Sequence, residues 1–143
     1  MSMPRRTLLL FSLLLALCGC RQEGPLERVQ QNAAALQEAL QKKDAGAVMD
    51  LLHADFLAQD QYRRDWAQRS MALYFLRHKK IGVSILNQES RLDSSYSDRA
   101  YSSAQVLLTG ADNLLPDSAR PYDLKLEWWL VDGDWQLARL AWE

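Results

Sequence analysis

From residue 26 the apolar positions fall at helical intervals. Leu26, Val29, Ala33, Leu36 and Leu40 recur every three or four residues among Gln, Glu and Lys, which predicts an amphipathic helix. Asp44 has the chemistry of an N-cap, and the stripe Val48, Leu51, Leu52 and Phe56 predicts a second, short helix behind it. A third helix is expected from Tyr62 to Arg77, ending in the basic run Arg77-His78-Lys79-Lys80, which suits the negative pole of a helix C-terminus. The period then drops from 3.6 to 2. Ile81, Val83 and Ile85 alternate with Gly82 and Ser84, the polar run Asp93–Asp98 reads as a turn, and Ala100–Thr109 reads as a second strand. A 12-residue loop from Gly110 to Pro121 leads to Tyr122–Val131 and Asp134–Glu143, joined at Asp132-Gly133 by a two-residue hairpin turn. Three helices followed by a four-stranded antiparallel meander is an α+β pattern with segregated elements.

The last hairpin predicts its own faces. A uniform two-residue turn sets Leu124 opposite Ala141, Leu126 opposite Arg139, Trp128 opposite Leu137 and Leu130 opposite Trp135. That face is apolar apart from Arg139 and should cover the helices. A guanidinium there must meet water, an anionic ligand or a protein carboxylate. Two readings follow: Arg139 binds a carboxylate in a cavity together with Trp128, Trp66 and Tyr74, or it pairs with a helix acid such as Asp55 or Glu38. The opposite face carries Asp123, Lys125, Glu127, Gln136 and, less polar, Trp129, Leu140 and Trp142. These three form a candidate dimer interface, unless they are singly exposed or shielded by neighbouring Lys and Gln stems.

Ahead of the first helix lies a different pattern. Arg5 and Arg6 precede an apolar run of 11 residues, Thr7 to Leu17, and then Leu17-Cys18-Gly19-Cys20. The run suits a signal peptide and is too short for the ~20 residues of a spanning helix. The tetrapeptide resembles a bacterial lipobox, with Cys18 an unusual occupant of its position. The expected organisation is a signal peptide over 1–19, lipidated Cys20 with a short tether to residue 25, and one domain over 26–143. Arg5-Arg6 begins a twin-arginine pattern whose remainder is weak, so general secretion is expected. Arg21, rather than aspartate, after the lipidated cysteine favours the outer membrane, facing the periplasm. Five extended residues reach ~18 Å, which keeps the domain close to the bilayer.

Composition narrows the chemistry. The portion from Cys20 onward has 15 Lys and Arg against 18 Asp and Glu, a formal charge of −3 without a basic block, so nucleic acid is not an expected partner. Of the two cysteines one leaves with the leader and one carries lipid, which leaves none for a disulfide. Two histidines and no free thiol make a metal site unexpected, and no motif calls for a cofactor. His53 shares a helical side with Met49 and Phe56 and is the one candidate base, although no orienting partner is evident. His78 belongs to the basic cluster.

The stretch Lys43-Asp44-Ala45-Gly46-Ala47-Val48-Met49-Asp50-Leu51-Leu52-His53-Ala54-Asp55-Phe56 resembles the second-helix pattern of the nuclear transport factor 2-like superfamily, and Trp128-Trp129-Leu130-Val131-Asp132-Gly133-Asp134-Trp135-Gln136-Leu137 resembles its final hairpin. The resemblance covers about residues 26–143. It implies a cone made of a curved sheet and three helices, often dimeric through the sheet, in a superfamily that includes isomerases, dehydratases, cyclases and non-catalytic members. A catalytic set does not carry over. The isomerase branch would need an aromatic in the first helix, where this chain has none, and dehydratase-like members would need more histidine than His53 and His78 supply. Three readings remain: a membrane-tethered binding module taking a small acidic or amphipathic ligand, a small lyase or isomerase using His53, and a dimeric scaffold.

Overall fold

The computed structural model describes residues 22–110 and 120–143. The leader, the lipobox and most of the expected 110–121 loop therefore lie outside the described residues. Helix α1 is Pro25–Gln41 and α2 is Ala45–Leu51. Strand β1 is Leu52–Ala58, β2 is Tyr62–Arg63, and helix α3 is Arg64–Arg77. Strands β3 (Ile81–Leu92), β4 (Arg99–Gly110), β5 (Arg120–Val131) and β6 (Asp134–Trp142) follow. The four late strands form the expected meander. The curved sheet has six strands rather than four, in the order β2-β1-β6-β5-β4-β3, with β1 parallel to β6 and the other pairs antiparallel.

The two extra strands come from segments expected to be helical. Asp44 does cap α2, accepting from Ala47 N–H at 3.0 Å. The helix ends at Leu51, and Leu52, Phe56 and Ala58 are buried from a strand. Val48, Leu52 and Phe56 are four apart, a spacing that fits one face of a helix and one face of a strand equally well. Pairing with β6 decides between them. Tyr62 and Arg63 close a short hairpin onto β1, so α3 starts two residues later than expected.

Helix α1 lies across one face of the sheet and is fixed at both ends. Pro25 opens it, where a missing N–H costs nothing. Arg28 donates to the Gly133 carbonyl and Asn32 to that of Trp135 (2.7 Å). At the far end Gln37 donates to the Val83 carbonyl (2.7 Å), and Lys43 Nζ to that of His78 (2.8 Å). Val29, Leu52, Phe56, Ala58, Ala100, Leu126, Trp128, Trp135 and Leu137 form the core beneath it. Trp128 is wholly buried, and its indole N–H donates to Ser102 Oγ (3.0 Å), which lies 2.8 Å from Ser90 Oγ. Among the described residues no helix is long and apolar enough to cross a membrane.

The hairpin register changes within β6. Asp132 and Gly133 have φ of 50° and 85°, the tight-turn geometry that the sequence calls for. Leu130 faces Trp135 and Trp128 faces Leu137 as expected. Past Ala138 the pairing slips by one: Glu127 faces Arg139, Leu126 faces Leu140 and Leu124 faces Trp142. Ala138 is a β-bulge, and a bulge inverts every side chain beyond it. Arg139 is therefore on the outer face. Leu140 and Trp142, expected outside as interface residues, turn inward onto the core, where Trp142 stacks on Trp66 (6.3 Å) and Trp66 on Tyr62 (4.4 Å).

This register makes opposite demands on two adjacent residues. Leu140→Ala should cost about 2 kcal/mol of unfolding free energy in urea, whereas Ala141→Ser should stay within about 0.5 kcal/mol. A uniform hairpin register would give the reverse ranking.

Candidate functional site

The bulge leaves backbone groups without regular partners. Pairing of β1 with β6 is interrupted between Leu52 and Leu57 on one strand and between Leu137 and Arg139 on the other. Arg139 Nη1 donates to the carbonyls of Asp55 (2.9 Å) and Ala138 (2.8 Å), both of which lie in that gap. The helix acids proposed as its partners are not its partners. Asp55 meets it through main chain only, and Glu38 pairs with Lys42. The guanidinium carbon sits 4.7 Å from the Trp129 ring centroid, and Arg99 lies 4.4 Å from the same ring. His53 meets the ring edge-on at 4.8 Å. Trp129 does lie on the outer face, half-buried beneath groups of its own chain.

Beside this cluster the outer face is hollowed into a groove of about 430 Å³. Strand pairing builds it from two rows. Glu89, Ser103, Lys125 and Ala141 face one another across β3 to β6, and Arg91, Tyr101, Glu127 and Arg139 form the next row. Ser103 and Ala141 are short and leave the hollow; the longer side chains wall it, and Asp60, in the turn after β1, closes one edge. Glu127 is oriented by the Trp129 indole N–H (2.7 Å), and the Arg91 guanidinium lies 4.4 Å over the Tyr101 ring.

The interior of the cone is different. Its cavity is about 70 Å³, between α1 residues such as Leu36 and Leu40 and strand residues such as Val83, Val106 and Leu126. That is well below the ~300 Å³ at which small-molecule pockets begin. Of the expected pocket residues, Trp128 is sealed in the core, Trp66 is stacked between Tyr62 and Trp142, and Tyr74 is 38% exposed on α3 against His78. Arg139 and His53 are on the outer side. The structure thus brings Arg139 and His53 together around Trp129 and leaves Trp128, Trp66 and Tyr74 elsewhere. Glu89, Arg91, Tyr101, Lys125 and Glu127 were missed, because their convergence depends on the register of three strands.

His53 is poorly placed to act as a base. Its Nδ1 accepts from the Asp55 N–H at 2.9 Å, so the neutral ring carries its proton on Nε2 and has no lone pair to offer. Among the described residues no three His, Cys, Asp or Glu side chains are grouped to hold a metal.

Tyr101 in the groove and Asp93, its hydrogen-bond partner outside the lining, have displaced pKa values. Loss of water contact pushes the Tyr101 phenol up, and the Asp93 hydrogen bond and the charges of Glu127 and Asp93 add to the effect, against Arg91. Asp93 is held below the usual range, chiefly by the N–H groups of Ser95 (2.7 Å) and Tyr96 (2.9 Å). A depressed carboxylate stabilises the fold above its ordinary pKa and loses that contribution as pH falls through the lowered value. A raised phenol contributes below its ordinary pKa and loses it as pH rises through the raised one. In Asp93→Asn, the alkaline absorbance transition that is missing from Tyr101→Phe should move down toward ordinary tyrosine. The stability gap between Asp93→Asn and wild type should close at acid pH.

No family model matches the chain, and no curated protein matches it. Solved structures do. A protein of unknown function from Pseudomonas putida KT2440, described as NTF2-like, superposes with a TM-score of 0.70 at 10% identity, over 82% of this chain and 84% of that one. An NTF2-like protein from Cytophaga hutchinsonii ATCC 33406 gives 0.65 at 17% identity, over 84% and 98%. A hexachlorocyclohexane dehydrochlorinase from Novosphingobium barchaimii LL02 gives 0.64 at 17% identity, over 82% and 84%. An enzyme and a protein of unknown function on one scaffold show that the likeness speaks to architecture and not to activity. The chain has the nuclear transport factor 2-like fold.

Proposed function

We propose that the chain is a lipid-anchored, non-catalytic binding domain whose working surface is the outer face of the sheet. The observation that carries this is the contrast between the two faces. The cone interior is small and apolar, whereas the groove of about 430 Å³ outside it gathers three cationic and three anionic side chains. The interior holds Gln37, Gln88 and Ser102 as its polar groups, a set without an acid, a base or a nucleophile activated by one. The lyase reading loses support from the tautomer of His53. The scaffold reading loses support because Leu140 and Trp142 pack inward and Trp129 is covered within the chain. Anchoring rests on the lipobox-like Leu17-Cys18-Gly19-Cys20, and the outer membrane on Arg21.

Two measurements test this. Amide spectra of the protein, titrated with a mixture of small carboxylates, amines and aromatics, should shift at Glu89, Ser103, Lys125 and Ala141. Shifts clustered at Leu36, Ala104 and Val106 would move the site back into the cone. For the anchor, wild type should partition into the detergent phase on cloud-point extraction, with an acylated N-terminus at Cys20 by mass. Equal partitioning of a Cys20→Ser variant would end the lipoprotein reading.

A further inference from the structure

We infer that the groove takes a short zwitterionic peptide, two or three residues long, with its free carboxylate on Arg139 and its free ammonium toward Glu89. This rests on the outer face being the working surface, and it adds the class of ligand.

The carboxylate end follows from how Arg139 is used. Its two Nη1 hydrogens go to the Asp55 and Ala138 carbonyls, and its plane rests near Trp129. The side chain is half-buried and held in one orientation, yet it forms no ion pair among the described residues. What remains is the Nε–Nη2 edge, the fork that a carboxylate fits with two parallel hydrogen bonds. A cation already fixed by other bonds loses little side-chain freedom when it binds.

The ammonium end follows from charge balance and spacing. The groove carries Asp60, Glu89 and Glu127 against Arg91, Lys125 and Arg139, so the lining is neutral and interleaves the two signs, Glu89 beside Arg91 and Glu127 between Lys125 and Arg139. Such a lining disfavours a phosphate or other concentrated anion and matches a neutral molecule with separated charges. Glu89 on β3 and Arg139 on β6 are three strand spacings and two residues along the strand apart, about 16 Å at ~4.8 Å per strand and ~3.4 Å per residue. Arg139 is held toward β1 and Trp129, so once the Glu89 side chain and a hydrogen bond at each end are allowed for, roughly 7–10 Å is left, the span of two or three extended residues at ~3.5 Å each. The short floor residues Ser103 and Ala141 leave room for the backbone of such a ligand, and the Tyr101 ring, held under Arg91, offers a flat wall.

Trialanine, N-acetyl-trialanine and trialanine amide serve as probes, with binding to the intact protein followed by calorimetry. Trialanine should bind saturably, and each blocked form at least about tenfold more weakly, the scale of one lost charge-assisted interaction. Arg139→Lys should weaken trialanine by about tenfold and leave trialanine amide unchanged. Arg139 also ties down two carbonyls, so Glu89→Gln gives an independent arm: it should weaken trialanine and leave N-acetyl-trialanine unchanged. Equal binding of all three probes, or no saturation with trialanine, overturns the proposal. Succinate binding as tightly as trialanine overturns the ligand class and leaves the outer-face reading standing. A dimer in sedimentation that Glu89→Gln disperses assigns the charged rows to a second copy and also overturns it. Absence of any groove shift with the fragment mixture would remove the underlying reading as well.

Discussion

The single extra residue at Ala138 determines how the two faces of this sheet differ. A strand that kept perfect alternation from Trp135 to Trp142 would place the Arg139 guanidinium in the core and two large apolar side chains in water. Burying an unpaired guanidinium costs far more than a local break in a ladder. The bulge accepts the break. It turns Leu140 and Trp142 inward, where Trp142 completes a stack with Trp66 and Tyr62 that joins α3 to the sheet. Arg139, moved outward, then hydrogen-bonds the carbonyls that the break leaves irregular. The residue made awkward by the alternating pattern becomes the one that repairs its interruption.

That arrangement couples packing to surface chemistry. Filling the cone with Trp128, Leu126 and Val106 against α1 leaves an interior of about 70 Å³. Side chains with unspent polar capacity are thereby displaced to the other side of the same strands. Trp128 and Trp129 illustrate the division. Trp128 is sealed in and gives its N–H to Ser102, while its neighbour lies under two arginines and gives its N–H to Glu127. The first tryptophan packs within the core and the second meets charged groups of the outer face, one residue apart in the same strand.

Much of this was legible in the sequence and some was not, for identifiable reasons. The Asp132-Gly133 turn, the meander and the capped second helix follow from local chemistry and are present. Strand β1 was hidden because residues spaced by four satisfy both periods, and only the distant partner β6 selects between them. The bulge did leave a trace. The apolar positions run Trp135, Leu137, then Ala138, Leu140, Trp142, a change of phase with Arg139 stranded between them. An arginine on an otherwise apolar face was the sign that the phase had changed. The groove left no such trace, since Glu89, Arg91, Tyr101, Lys125 and Glu127 are spread over 39 positions and meet only through two successive pairings.

The parallel pairing of β1 with β6 has a kinetic consequence. Leu57 lies beside Arg139 and Ala58 beside Leu140, so β1 depends for its place on a strand far later in the sequence. The β3–β5 meander can assemble from neighbouring segments, but the β1–β2 hairpin joins the rest of the sheet only through β6. Contacts of such long sequence separation slow folding and concentrate it late. Until β6 is in place the helices and the partial sheet lack a closed core, so β6 acts as the segment that joins the two parts of the sheet.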